Sequence, residues 1–190
     1  MIPEFNMAGV IPPIRPNAPG YSPDRSPYVV DINKVVSRFA TTPKRIQILK
    51  GFLTFRQNFY VLGVVNGFQW IDGSFCQDIE AIESRDPGDI DVVTFFYPPK
   101  NLTTEIIEGI NNLIDFEYTK PRFNVDAYGM QLGTIFNDAT VKQLSYWYSM
   151  WSHRKSDNMW KGFIQVPLSP EADKQAILEI NKIETQEEML

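Results

Sequence analysis

Trp70-Ile71-Asp72-Gly73-Ser74-Phe75, followed by Gly88-Asp89-Ile90-Asp91-Val92-Val93-Thr94-Phe95-Phe96, is the stretch from which the fold of this chain is read. An apolar run ends in a Gly-Ser turn, and after a spacer two alternating aspartates open a strongly hydrophobic strand. Residues i and i+2 of a strand share a face, with Cα atoms about 6.6 Å apart. Asp89 and Asp91 therefore project together, while Ile90, Val92 and Phe96 point the other way. Two carboxylates 4 Å apart repel by about 4 kcal/mol at an effective dielectric of about 20. Burying such a pair calls for a bridging cation or a retained proton, and a divalent metal is the simplest answer.

Outward from this stretch, the 190 residues suffice for one domain with a real core, and apolar residues make up 43% of them. A net charge of −5 argues against a protein that coats DNA through broad phosphate contacts, though not against a local basic groove. The lone Cys76 excludes an internal disulfide and a thiolate zinc site and fits a reducing compartment. The lone His153 excludes multi-histidine metal centres. No apolar run approaches the ~20 residues of a membrane span and no signal peptide is evident, so a cytoplasmic protein is expected.

Half of the fourteen prolines lie within residues 1–27, which read as an extended arm laid over the domain or over a protein partner. Glu4-Phe5 has the look of a cloning junction, which would make Met7 the start. Residues 28–190 read as a single domain. Asp31 is an N-cap for a helix to about Ala40, and Thr42-Pro43 opens a longer helix to about Tyr60. Gly67–Phe75 and Ile90–Tyr97 read as strands. Pro98-Pro99 ends the second, and Thr103 or Asn101 caps a helix to Ile114. Arg122–Tyr128 alternates as a third strand, with Phe123, Val125 and Ala127 on one side. A helix over 140–152 carries Val141, Leu144, Tyr148 and Trp151 as its apolar stripe. Gly162–Leu168 is a fourth strand, and Ser169-Pro170 opens a final helix whose acidic end, Glu184 to Glu188, is solvated. Interleaved strands and helices predict a mixed α/β sheet flanked by helices.

Gly73 permits close backbone approach to a phosphate, and the hydroxyl and amide of Ser74 can donate to it. Asp126, on the third strand, adds a carboxylate to Asp89 and Asp91, and three carboxylates can hold two Mg²⁺ (or Mn²⁺) ions that activate a hydroxyl and neutralise a triphosphate. The run Asp72-Gly73-Ser74, Asp89-Ile90-Asp91-Val92 and Val125-Asp126-Ala127 resembles the signature of the polymerase-beta-type nucleotidyltransferase superfamily. Further segments, among them Arg25-Ser26-Pro27-Tyr28, Gly67-Phe68-Gln69-Trp70 and Trp160-Lys161-Gly162, are similar to an uncharacterised bacterial nucleotidyltransferase-like family. The resemblance implies a nucleotidyltransferase fold. It also implies that Asp89 and Asp91 ligate both metals, that Asp126 ligates the catalytic one, and that Gly73-Ser74 holds a nucleoside triphosphate such as ATP. Small bacterial proteins of this kind serve in toxin–antitoxin and phage-defence systems.

Ser152-His153-Arg154-Lys155 ends an aromatic helix, where cations complement the helix dipole. The functional alternative is a clamp on triphosphate or acceptor, with Arg154 and Lys161 the candidates. Of Tyr146, Trp147, Tyr148, Trp151 and Trp160, most are expected in the core, one or two against a base. The expected activity is transfer of a nucleoside monophosphate to an acceptor hydroxyl on an RNA end, a protein or a small molecule. Two features speak for the alternative, a catalytically weak nucleotide- or protein-binding module. Fourteen residues separate Ser74 from Asp89, a long spacer, and Asp72 would repel a triphosphate unless it faces away or binds a cation itself.

Overall fold

The computed structural model describes residues 1–187 of the chain. Among them five strands form one mixed sheet: β1 (Tyr28–Val29), β2 (Gly67–Asp72), β3 (Ile90–Phe96), β4 (Val125–Gln131) and β5 (Ile164–Pro167). Their order is β1-β5-β2-β3-β4. β2 runs antiparallel to β3 and β5, whereas β3 runs parallel to β4, and β1 parallel to β5. Seven helices accompany them: α1 (Ile32–Phe39), α2 (Pro43–Val61), α3 (Ile79–Glu83), α4 (Thr104–Leu113), α5 (Phe116–Phe123), α6 (Asp138–Trp151) and α7 (Pro170–Glu187). The mixed α/β architecture read from the sequence is present.

Local signals explain most boundaries. Asp31 accepts from the Asn33 amide, Thr42 from Arg45 and Thr103 from Ile106, so each expected cap does its work. One face of the sheet, with Ile71, Ile90, Val92, Val125 and Ile164, packs against α1, α2 and α7 in the larger core. The other, with Trp70, Val93, Phe95 and Met130, meets Trp147 and Trp151 of α6. β3 is covered on both faces, which is why its sequence runs apolar rather than alternating.

Three expectations need correction. Arg122 and Phe123, expected to start the third strand, instead end a helix over Phe116–Phe123, and the chain turns into β4 only after Asn124, which takes left-handed backbone as the helix C-cap. The alternation of Phe123 with Val125 hid a helix whose start Asp115 caps by accepting from the Glu117 amide. The first strand ends at Asp72, and Phe75 lies in a short 3-10 turn, Ser74–Cys76. The expected stripe of α6 is largely exposed at Val141, Leu144 and Tyr148, and Trp147 with Trp151, spaced i and i+4, make the buried seam. α7 runs to Glu187 and Lys50 pairs with its Glu184; Glu188, in the expected acidic end, lies outside the described residues.

A buried ion pair ties α2 to α7. Arg56 is 0% exposed; it donates to both oxygens of Asp173, which is 1% exposed, and also to Gln69 Oε1 and the Pro167 carbonyl. Gln69 in turn donates to Thr94 in the neighbouring strand. Removing one partner of a buried pair strands the other charge. Asp173→Ala should therefore lower unfolding free energy by about 3–5 kcal/mol in urea titrations.

Candidate functional site

Strand register fixes the site. Asp72 pairs with Asp91 across β2 and β3, and Asp91 with Asp126 across β3 and β4. Directly paired residues share a face, so the three carboxylates form a row at one end of the sheet, on the α6 side. Asp89, two residues before Asp91, joins them. All four line a cleft of about 1220 Å³ whose other walls are the Gly73-Ser74 turn, Lys120 of α5, and the segment Trp151–Lys161 that follows α6.

The charges are compensated unequally. Asp72 is buried and ion-paired with Lys161, whose ammonium also donates to the Trp151 carbonyl (3.1 Å). Burial raises the Asp72 carboxyl above its ordinary range, with Lys161 and the Gly73 amide pulling the other way. Lys120 bridges Asp89 (2.7 Å) and Asp126 (3.2 Å), and these carboxylates hold its ammonium above the usual lysine range. Among the described residues Asp91 makes no ion pair, and Lys161 offsets its charge only from a distance. Burial, then repulsion from Asp72, Asp89 and Asp126, pushes Asp91 up to about 7. The second oxygen of Asp126, Oδ1, is buried without a hydrogen-bond partner among the described residues.

The turn is shaped around this row. Gly73 has φ +83°, and a Cβ there would lie 1.7 Å from Asp91 Oδ2, so only glycine lets the backbone pass over that carboxylate. Arg45 of α2 holds the following residues by donating to the carbonyls of Phe75 (2.8 Å) and Gln77 (2.7 Å) while paired with Glu80. The arm braces the same region: the Asp78 amide donates to Gly9, the Gly162 amide to Ile11, and Arg154 to Ala8. Ile2, Val10 and Ile11 of the arm are buried.

Asp89, Asp91, Asp126, Gly73, Ser74, Arg154 and Lys161 thus all line one cleft. Their partners differ from what the sequence suggested. Lys161 is engaged by Asp72, and Arg154 forks onto Asp157, which it holds at about 2, so neither expected clamp is a free cation. Lys155, on the same wall, forms no ion pair among the described residues. Cys76 is buried with its sulfur toward the Ile71 carbonyl, and burial pushes its thiol up; it belongs to the core. Lys120 was missed because the sequence reading assigned no element between Ile114 and Arg122, so nothing placed its side chain beside the aspartates. Trp147 and Trp151 are core residues, while Tyr146 and Trp160 are exposed.

Among the described residues no group of three or more acidic, histidine or cysteine side chains is closed into a metal cage. The donor set nevertheless suits a hard cation: it is all oxygen, one buried oxygen lacks a partner, and an ammonium already bridges two of its members.

Two outcomes follow from the charges. Lys161→Met should cost about 3–5 kcal/mol by stranding Asp72, and Asp72→Asn in that background should recover much of it, measured by denaturant unfolding. Asp91 binds its proton more tightly folded than unfolded, where its pKa is about 3.9. Its contribution to stability is thus complete below about pH 4 and is lost as pH rises through about 7. With chelator present, Asp91→Asn should remove a decline of about 4 kcal/mol between pH 4 and 8.

A family model, described as a family of unknown function (DUF6932), matches residues 3–167, and the chain belongs to that family. No curated protein and no solved structure matches the chain.

Proposed function

We propose that this member of the DUF6932 family is a metal-dependent nucleotidyltransferase with a nucleotidyltransferase fold, moving a nucleoside monophosphate from a nucleoside triphosphate to an acceptor hydroxyl. The supporting observation is the in-register row of Asp72, Asp91 and Asp126, with Asp89 beside it, directly beneath a glycine turn in an open cleft. A scaffold has no need to hold four carboxylates together against their repulsion.

In this reading Asp89, Asp91 and Asp126 hold Mg²⁺ (or Mn²⁺), which when bound acidifies the acceptor hydroxyl and neutralises the departing pyrophosphate. The acceptor hydroxyl gives up its proton to water in the cleft, its oxygen bonds to the α-phosphorus, the α–β phosphoanhydride bond breaks, and pyrophosphate leaves. Asp72 does not repel the triphosphate, because Lys161 cancels its charge inside the protein. Gly73 and Ser74 offer the phosphates backbone amide and hydroxyl donors. Lys155, which lines the cleft and forms no ion pair among the described residues, supplies positive charge. The cleft exceeds the ~300–1,000 Å³ of ordinary small-molecule sites, leaving room for an acceptor beside the nucleotide. The acceptor class, RNA end, protein or small molecule, and a role in toxin–antitoxin or defence systems rest on the resemblance alone.

A second reading, a nucleotide- or protein-binding module with little turnover, draws on the incomplete metal cage and on Lys120 standing between two of its ligands. Incubation with each α-labelled triphosphate, Mg²⁺ or Mn²⁺ and cell extract separates the two. Transfer of label by the wild type, and background levels for Asp89→Ala/Asp91→Ala, is the expected result. Metal-dependent triphosphate binding with no labelled product would favour the module.

A further inference from the structure

The two lysines that meet the acidic row are built differently. Lys161 is 3% exposed, sealed beneath the cleft between Asp72 and the Trp151 carbonyl, a fixed counter-ion. Lys120 sits in the last turn of α5 with its side chain 51% exposed, and the ion pairs it makes are those to Asp89 and Asp126. Its four-carbon stem is already half in water and can swing fully into it, whereas Asp89 and Asp126 are only 19% and 17% exposed and need another cation in its place. Four carboxylates thus face two ammonium groups, one permanent and one removable. The removable one stands between two of the carboxylates that the proposed function assigns to metal.

We propose that Lys120 is a tethered counter-cation that occupies the gap between Asp89 and Asp126 until a divalent cation displaces it, so that Lys120 sets the metal affinity of the site. This rests on the reading of Asp89, Asp91 and Asp126 as ligands. The ammonium keeps the row from flying apart when no metal is bound. It also lowers apparent metal affinity, because the cation binds only the fraction of molecules in which Lys120 has moved aside. A lysine suits this role better than an arginine, whose rigid fork would grip carboxylates bidentately. Once displaced, the ammonium stays tethered at the rim of the cleft, among the groups that a polyphosphate would meet.

Mn²⁺ binding to the full chain, followed by electron paramagnetic resonance without nucleotide, tests this directly. Wild type, Lys120→Met, Lys120→Arg and Asp126→Asn would be compared, with circular dichroism checking that each is folded. The expected result is binding about fivefold tighter in Lys120→Met, a modest gain because the displaced ammonium is already half solvated. Lys120→Arg, which keeps the charge, should bind no tighter than wild type. Equal or weaker binding in folded Lys120→Met, with binding lost in Asp126→Asn, would overturn the role of Lys120 and leave the metal site standing. Absence of Mn²⁺ binding in every protein would overturn both.

Discussion

Negative charge concentrated at one end of the sheet is the constraint around which this molecule is arranged. Asp72, Asp91 and Asp126 are neighbours by strand register, and Asp89 joins them by the two-residue period of β3. Each is answered in a different way. Lys161 cancels Asp72 within the protein, Lys120 spans Asp89 and Asp126 from the surface, and Asp91 holds on to its proton to near neutrality. Asp72 is explained by its buried partner Lys161, whereas an apolar side chain in place of Asp91 would relieve the repulsion, so the presence of Asp91 speaks for a ligand that needs it.

Much of the remaining structure serves to hold that arrangement still. Gly73 gives Asp91 its space, and Arg45 pins the residues just beyond the turn by their carbonyls. The proline-rich arm, which cannot form a helix, fills the gap between this loop and the segment leading into β5, its Gly9 and Ile11 carbonyls accepting backbone hydrogen bonds from Asp78 and Gly162. On the opposite face, the Arg56–Asp173 pair joins α2 and α7 and reaches β2 through Gln69. β2 is therefore held rigidly from below while presenting Asp72 above. Rigid elements beneath and an open cleft above suit a site that must position phosphate and hydroxyl closely.

The strands that carry the aspartates were legible because their signals are local: an apolar run, a Gly-Ser turn, and an Asp-x-Asp opening. Helix starts at Asp31, Thr42 and Thr103 were legible for the same reason, since a cap is a contact between near neighbours. The helix over residues 116–123 was not. It contains Pro121 and short-range alternation, and it is fixed by packing against α2, where Gly51 lets the Phe123 carbonyl come close. Lys120 was lost with it. The pairing of Asp72 with Lys161 could not be read either, because it joins residues far apart in sequence that only the β2–β5 pairing brings together. That contact changes the meaning of Asp72, from a charge that would repel a triphosphate to one neutralised within the fold.

The central claim is that the row of aspartates binds divalent metal beside a triphosphate seated on the Gly73 turn. Anomalous diffraction from crystals grown with Mn²⁺ and a non-hydrolysable nucleoside triphosphate tests it most directly. The account predicts manganese peaks at ordinary ligand distance, about 2.0–2.3 Å, from carboxylate oxygens of Asp89, Asp91 and Asp126, with phosphates against Gly73 and Ser74. Manganese found only elsewhere, or nucleotide bound away from that turn, would contradict it.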